Sequence, residues 1–122
     1  MGVGMSFLIL GVKKYRMDCY IKENSPIARM AARKLRAHAA AIVIGRTVHL
    51  HNATRTEFLS NRRWLRHEMV HIRQFQHHGF LPFIARYLWE SLLHGYSNNK
   101  YEVEARLGER DDRVCEGLRI VD

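Results

Sequence analysis

The sequence has little cysteine, no long hydrophobic run and no repeated segment, and each of these absences excludes a class of protein. Its two cysteines, Cys19 and Cys115, lie far apart, and neither has the close cysteine or histidine neighbours of a structural zinc site. We therefore expect two reduced, buried thiols rather than a disulfide framework. The absence of a fixed period excludes solenoids and propellers, and the absence of low-complexity stretches argues against long disordered regions.

The early apolar run Phe7–Leu10 is too short to cross a bilayer, and no small-residue cleavage pattern follows it. We therefore expect a cytoplasmic protein without a transmembrane segment. A chain of 122 residues can bury the core of one domain but is too short for two domains that each have a stable core. The expected organisation is one domain over residues 1–122.

Acidic residues are scarce relative to basic ones, with 12 Asp and Glu against 20 Lys and Arg and a formal net charge of +8. Most of this excess lies in the first half of the chain. Arg29, Arg33 and Arg36 have the spacing that aligns them along one face of a predicted helix. Such a stripe could bind nucleic acid or an acidic protein, but no aromatic residues interleave with it to stack on bases. A solvated helix face is therefore favoured.

Apolar spacing and turn residues predict an α+β fold. Residues 15–21 alternate weakly, as a strand does, and Ser25-Pro26 is typical of a helix N-cap followed by proline in the first turn. The helix after this cap should extend from Ile27 to about Ala39 and lie against a sheet. Its predicted buried face consists of Ile27, Met30, Ala31, Leu35 and His38.

The breaker Gly45-Arg46 separates two β-branched or alternating stretches, Ile42–Ile44 and Thr47–His51, which predict one bent strand or a tight hairpin. Three further helices follow in the predicted order. The first begins near Ser60 or Asn61 and ends before Gly79, the second extends from Pro82 to Gly95, and the third extends from Lys100 to about Leu107. The predicted apolar face of the second consists of Phe83, Ile84, Tyr87, Leu88, Leu92 and Leu93.

The first of these three helices carries the motif His67-Glu68-Met69-Val70-His71. Residues four apart project from one helix face about one turn apart, so His67 and His71 can bind a single zinc ion. Glu68 is turned about 100° around the helix from His67, where a carboxylate can reach water at the metal without displacing it. The motif predicts a Zn2+ site with a general base, although a surface helix could also carry these three residues.

A catalytic zinc usually takes three protein ligands, and three candidates compete for the third position. His77 has the offset found in metzincins, but Gln74 stands where they need a glycine, and no methionine follows the motif to form their Met-turn. His94 would complete a three-histidine site like that of the Spartan-type DNA-linked proteases. Glu102, considered together with its neighbour Glu104, is the candidate we favour, because a helix after a turn could direct its carboxylate towards the metal.

Three short segments resemble those of gluzincin-type peptidases. They are Gly45-Arg46-Thr47-Val48-His49-Leu50, Leu65-Arg66-His67-Glu68-Met69-Val70-His71-Ile72-Arg73-Gln74 and Tyr101-Glu102-Val103-Glu104-Ala105. The sequence is similar to the compact minigluzincins and, more distantly, to the CAAX-prenyl-protease-like and heat-shock HtpX-like proteases. The resemblance covers roughly residues 27–110 and implies a zincin-like domain in which Glu102 is the third zinc ligand.

The sequence departs from the gluzincin pattern at Arg106, where the family has an aspartate that supports the zinc site. Asp111 or Asp112 could take over that support. The resemblance further implies that an edge strand beside the cleft pairs with an extended substrate, and Thr47–His51 is the candidate strand. The tail from Arg110 to Asp122 could either lie in this cleft or pack outside it.

These features predict a zinc peptidase that acts on a peptide or protein substrate. In this hypothesis zinc activates a water, and Glu68 accepts the proton of that water and later returns it to the leaving amine. Tyr101, Tyr96 and His94 remain open as donors to the oxyanion. The alternatives are a basic nucleic-acid-binding domain with an incidental or structural metal site and a catalytically silent binding domain of the same fold.

Overall fold

The computed structural model describes residues 17–121, which form a four-stranded sheet covered by helices. In chain order the elements are β1 (Met17–Lys22), α1 (Pro26–Leu35), β2 (Ala40–Ile44), β3 (Thr47–His51), α2 (Arg55–Ser60), α3 (Arg62–His78), α4 (Phe80–His94), α5 (Lys100–Gly108), a 3-10 helix (Asp112–Cys115) and β4 (Leu118–Val121). This arrangement confirms the predicted α+β fold. The predicted apolar run Phe7–Leu10 lies outside the described residues.

The strands are ordered β2-β3-β1-β4 across the sheet. A hairpin turn at Gly45-Arg46 joins β2 to β3, with Gly45 at a φ of 66°, so the tight-hairpin alternative is confirmed. β1 is parallel to both β3 and β4, and Tyr20 pairs with Thr47. Because β1 covers the far side of β3, the prediction that Thr47–His51 is an edge strand is wrong. Among the described strands, the edges are β2 and β4.

α1 begins as predicted, since the side chain of Ser25 caps it by accepting a hydrogen bond from the Ala28 amide. The helix ends at Leu35, before the predicted Ala39, because Arg36 adopts the left-handed conformation with a φ of 55°. It packs against β2 and β3, as expected.

The predicted buried face of α1 is wrong. Ala28 and Ala32 face the sheet, whereas the large apolar side chains Ile27, Met30 and Leu35 are 46%, 68% and 44% exposed. Ser25 explains this rotation, because its amide donates to the Leu50 carbonyl and its hydroxyl contacts His49 Nδ1 at 2.9 Å. These contacts hold the start of the helix close to the sheet, where only alanine-sized side chains fit.

α3 is the central helix of the core and has the predicted boundaries. Asn61 caps its first turn by accepting from the Trp64 amide at 3.1 Å, and the helix ends at His78 before Gly79. Its buried apolar residues are Leu65, Met69, Val70, Ile72 and Phe75. The preceding short helix α2 was not predicted; a capping box between Thr54 and Glu57 starts it.

α4 begins at Phe80, two residues before the predicted Pro82, and ends at His94 as expected. Phe83 is its only buried residue. Three members of its predicted apolar face are exposed instead: Leu88 at 61%, Leu92 at 76% and Leu93 at 54%. α5 follows the prediction closely and is capped by Asn99, whose side chain accepts from the Tyr101 amide. Among the described residues, no helix combines the length and apolar character that a membrane crossing requires.

The tail that follows Glu109 packs along α3 rather than in a cleft. Two arginines of α3 hold it, since Arg66 donates to the Glu109 carbonyl at 3.0 Å and Arg73 donates to the Val114 carbonyl at 3.0 Å. β4 then pairs with β1. The sequence left open whether the tail from Arg110 lies in the cleft or packs outside it, and its described part packs outside.

Both cysteines are free, as predicted, and Cys19 is fully buried whereas Cys115 is only partly buried.

Candidate metal centre

The two histidines of the motif project from one face of α3 and meet a carboxylate from α5. Their ring centroids lie 5.2 Å apart. Nε2 of His67 lies 3.2 Å from one carboxylate oxygen of Glu102, and Nε2 of His71 lies 3.3 Å from the other. One possible ligand atom from each residue lies within 4.8 Å of the other two. The structure thus groups the three residues closely enough to hold one metal ion.

Packing between α3 and α5 places Glu102 at this point. Asn99 starts α5 and donates to the Tyr87 carbonyl at 3.0 Å, which ties the start of the helix to α4. Gln74 of α3 donates to the Tyr101 carbonyl at 3.1 Å. Ala105, one turn beyond Glu102, is fully buried and allows the two helices to approach closely. The carboxylate in the first turn of α5 is therefore held over the histidine pair.

Each histidine is oriented through its second ring nitrogen. Nδ1 of His67 lies 2.8 Å from a carboxylate oxygen of Glu109, and Nδ1 of His71 lies 2.8 Å from the side-chain oxygen of Gln74. A hydrogen on Nδ1 that donates to these acceptors leaves Nε2 as the lone-pair nitrogen, which is the form that binds a metal. Both imidazoles are thus turned to present Nε2 to the same space.

Glu109 is the carboxylate that orients His67. It takes the supporting role that the gluzincin aspartate, replaced by Arg106 in this sequence, would have. Arg106 instead donates to the carbonyl of Ser97. The suggestion that Asp111 or Asp112 replaces the family aspartate is wrong, because Asp111 pairs with Arg113 and Asp112 pairs with Arg66. The spacing could have indicated the correct residue, since Glu109 follows Glu102 by seven positions, about two helical turns.

The electrostatics of the cluster favour an ionised Glu102. Burial of this carboxyl opposes ionisation, but the hydrogen bonds with His67, His71 and Tyr87 outweigh it and hold the pKa of Glu102 well below its usual range. Burial likewise opposes protonation of His67, yet its contacts with Glu102, Glu68 and Glu109 raise its pKa to about 9. The pKa of His71 is also raised, by Glu102 and Glu68, against the effect of burial. The negative charges around the histidine pair thus favour positive charge at this point, which a bound cation would supply.

Glu68 lies beside the histidines and is 5% exposed. Burial raises the pKa of Glu68 to about 7, although the charges of His71 and His67 and a hydrogen bond from the Trp64 side chain act in the opposite direction. A carboxyl with a pKa near neutrality can both accept and donate a proton at physiological pH. Glu68 therefore has the protonation behaviour that a general base and acid requires.

The competing third ligands lie elsewhere. Glu104 accepts a hydrogen bond from Gln74 at 2.5 Å, which places its carboxylate on the outer side of that amide. His77 and His94 are both exposed and do not belong to the cluster that the described residues form. Of the residues that the sequence raised as the third ligand, the structure brings Glu102 alone to the histidine pair.

Tyrosines from the α4 region complete the surroundings of Glu102. The Tyr87 hydroxyl donates to a Glu102 oxygen at 2.5 Å. The sequence had placed Tyr87 on an apolar helix face and had not indicated this contact. Tyr96 is 43% exposed and lines the cleft. Tyr101 is buried at 5% exposure and packs against Phe83, with ring centroids 5.0 Å apart. Of the three predicted oxyanion donors, Tyr96 is thus the one that faces the cleft.

A cleft of about 540 Å³ opens beside the centre. His67 and Glu68 form part of one wall, together with Trp64 of α3, and the opposite wall is formed by the end of α1 and the start of β2. That opposite wall consists of Leu35, Ala37, Ala39, Ala40 and Ala41. The strand beside the cleft is therefore the edge strand β2, whereas the sequence had indicated β3.

Comparison with known proteins gives one family match. No curated protein and no solved structure matches the chain. The range matched by the family model, residues 20–79, begins in β1 and ends just after α3. It therefore includes His67, Glu68 and His71 but not Glu102. Residues 20–79 are similar to the family described as the eCIS core domain.

Proposed function

We propose that this protein is a zinc-dependent peptidase of the gluzincin type. The observation that carries the proposal is the convergence of His67, His71 and Glu102 from two helices, with the buried Glu68 beside them in an open cleft. The resemblance of three sequence segments to gluzincins supports the same function. Fold alone would not, because one fold hosts many activities.

The donor set fits zinc. Two imidazole nitrogens and one carboxylate form the ligand set of several catalytic zinc sites, in which a fourth position remains for water. Glu109 and Gln74 hold the imidazoles in the required orientation. When bound, zinc would polarise the substrate carbonyl and lower the pKa of water in the site.

Glu68 would act as the proton carrier. In its ionised form it accepts the proton of the attacking water, and as a carboxylic acid it gives that proton to the departing amine. Burial raises the pKa of Glu68, which favours its taking up the proton that it later returns to the amine.

Tyr96 and Tyr87 have different proposed roles. Tyr96 is 43% exposed in the cleft wall, so its hydroxyl can reach a substrate and donate to the oxygen that becomes negatively charged. Tyr87 is bound to Glu102 and would restrain that ligand instead. Burial raises the pKa of Tyr96, as do the negative charges of Glu102 and Glu68, so the hydroxyl keeps its proton.

The edge strand β2 offers a binding mode for an extended peptide. Its residues pair with β3 on one side only among the described strands, which leaves backbone amide and carbonyl groups facing away from the sheet. An added strand can hydrogen bond to such an edge. Because Ala40 and Ala41 also line the cleft, a peptide bound there would pass close to Glu68.

Zinc content and peptide hydrolysis test the proposal together. Wild-type protein dialysed against zinc should bind one equivalent and cleave an unfolded protein substrate. Glu68→Gln should keep the zinc and lose at least about a hundredfold in cleavage rate, since general base catalysis contributes 10²–10⁴-fold. Glu116→Gln is the matched control, because this carboxylate is exposed and lies outside the metal cluster.

Two results would contradict the proposal in different ways. Absence of bound zinc in wild-type protein would remove its basis. Stoichiometric zinc without hydrolysis of any peptide or protein would identify a silent binding domain with a metal centre instead.

A further inference from the structure

We propose that the cleft selects acidic stretches of substrate, and that Arg63 in its lining and Arg36 at the adjoining end of α1 recognise them. This inference rests on the proposed function, because it assumes that a peptide occupies the cleft. It specifies the chemical class of that peptide.

Arg36 lies in the chain between two residues of the wall formed by α1 and β2. Its chain neighbours Leu35 and Ala37 both line the cleft, and the Arg36 side chain is exposed. The backbone position is fixed, since the Arg36 amide donates to the Arg33 carbonyl at 3.2 Å and the Ala37 amide donates to the Ala32 carbonyl at 2.9 Å. A long, exposed cationic side chain is thus attached to a rigid backbone position between two residues that line the cleft.

Arg63 occupies the opposite wall, on the first turn of α3. It lines the cleft, and its side chain is 71% exposed. One terminal nitrogen donates to Glu109 at 2.8 Å, so the guanidinium is held in place. Because arginine has five N–H donors in a planar fork, the remaining donors stay available to a carboxylate of a bound peptide.

The exposed charges that precede Arg36 in the chain are also positive. Arg33 and Lys34 lie in the last turn of α1, and both are exposed. The two glutamates that line the cleft offer little negative charge to a bound peptide, since Glu68 is buried and Glu109 bonds to His67 and Arg63. The +8 net charge of the chain acts in the same direction. An acidic peptide would therefore be attracted to the entrance and a basic one repelled.

A peptide fits this entrance better than a nucleic acid does. The wall beside β2 consists of small apolar side chains at an open strand edge, which suits a polypeptide backbone. Trp64, the tryptophan of the cleft, packs edge-on against Phe58 with ring centroids 5.2 Å apart and is only partly exposed, so it offers little face for base stacking.

The test measures binding by the zinc-loaded Glu68→Gln protein, so that no substrate is consumed. Fluorescence anisotropy would compare short labelled peptides with the same Ala-Leu centre and either Asp/Glu or Lys/Arg flanks. We expect the acidic peptide to bind at least about tenfold more tightly at low salt, and the difference to shrink as salt is added.

Charge-removing substitutions assign the preference to the two arginines. Arg36→Gln and Arg63→Gln should each weaken binding of the acidic peptide by about threefold, the effect typical of an exposed charge pair. Arg119→Gln is the matched control, because it removes the same charge from β4 at the opposite sheet edge and should leave binding unchanged. Zinc content is measured for each variant, so that loss of metal is not mistaken for loss of recognition.

Equal binding of the acidic and basic peptides would overturn the inference, as would an equal effect of Arg119→Gln. Tighter binding of a single-stranded oligonucleotide than of an acidic peptide of the same charge would replace it with nucleic-acid recognition. Failure of the wild-type protein to cleave peptides would refute the proposed function. The charge preference is tested separately, by peptide binding to the Glu68→Gln protein.

Discussion

Replacement of Glu109 should weaken zinc binding while the protein stays folded. Its carboxylate lies 2.8 Å from Nδ1 of His67, and the two side chains are 17% and 15% exposed. The contact is therefore largely shielded from solvent and is charge-assisted. Glu109→Gln keeps an acceptor at this place but removes the charge, and Glu109→Ala removes both.

The size of the effect follows from the type of hydrogen bond. A bond to a charged group contributes roughly 1.5–3 kcal/mol and a neutral one roughly 0.5–1.5 kcal/mol. Their difference, about 1–1.5 kcal/mol, corresponds to a loss of about tenfold in zinc affinity for Glu109→Gln. Glu109→Ala should lose up to about a hundredfold, the upper range for residues that orient a metal ligand.

A competition titration against a chromophoric chelator measures these affinities, and circular dichroism checks that the variants are folded. Asp111→Asn is the control, because Asp111 lies in the same segment but pairs with Arg113. An unchanged zinc affinity in both Glu109 variants would refute the role of Glu109, and so would an equal loss in Asp111→Asn.

Three further predictions test the metal site, the packing of α1 and the state of the thiols. Zinc at about a hundred times its dissociation constant should stabilise the fold by about 2.7 kcal/mol and raise Tm by roughly 10 °C, and a chelator should reverse this in a thermal melt. In urea titrations, Ala32→Leu should lower the unfolding free energy by about 1–3 kcal/mol, because the larger side chain overpacks the contact with the sheet. Met30→Ala on the exposed face should change the unfolding free energy by less than about 0.5 kcal/mol. A larger loss in Met30→Ala than in Ala32→Leu would support the buried face predicted from the sequence. Burial raises the pKa of Cys19 to about 12, so at pH 8 iodoacetamide should label the partly exposed Cys115 in the native protein and Cys19 only after unfolding, as peptide mass spectrometry would show. Rapid native labelling of Cys19 would contradict its buried position.

Local sequence signals determined much of the architecture. The caps Ser25 and Asn61 begin their helices as predicted, and Gly45-Arg46 makes the hairpin turn. These features depend on hydrogen bonds and backbone angles within a few residues, so they can be read from the chain itself. The i, i+4 spacing of His67 and His71 belongs to the same class, because helix geometry alone puts both side chains on one face.

The orientation of helices against their neighbours could not be predicted in the same way. Periodicity favoured the larger apolar residues of α1, but the anchoring of Ser25 on the sheet turned Ala28 and Ala32 inwards. In α4 nearly every face is apolar, so the sequence could not indicate which of them meets α3 and α5.

The tertiary structure alone decided how the centre is completed. Motif spacing established two histidines and a glutamate, and the choice among Glu102, Glu104 and His94 depended on how α5 packs on α3. The same packing brought Glu109 to His67, although their positions are 42 residues apart. The strand order likewise made β2 the edge beside the cleft, because β1 pairs with β3. Helix geometry is local and was readable from the sequence, whereas contacts between distant segments depend on the packing of the whole core.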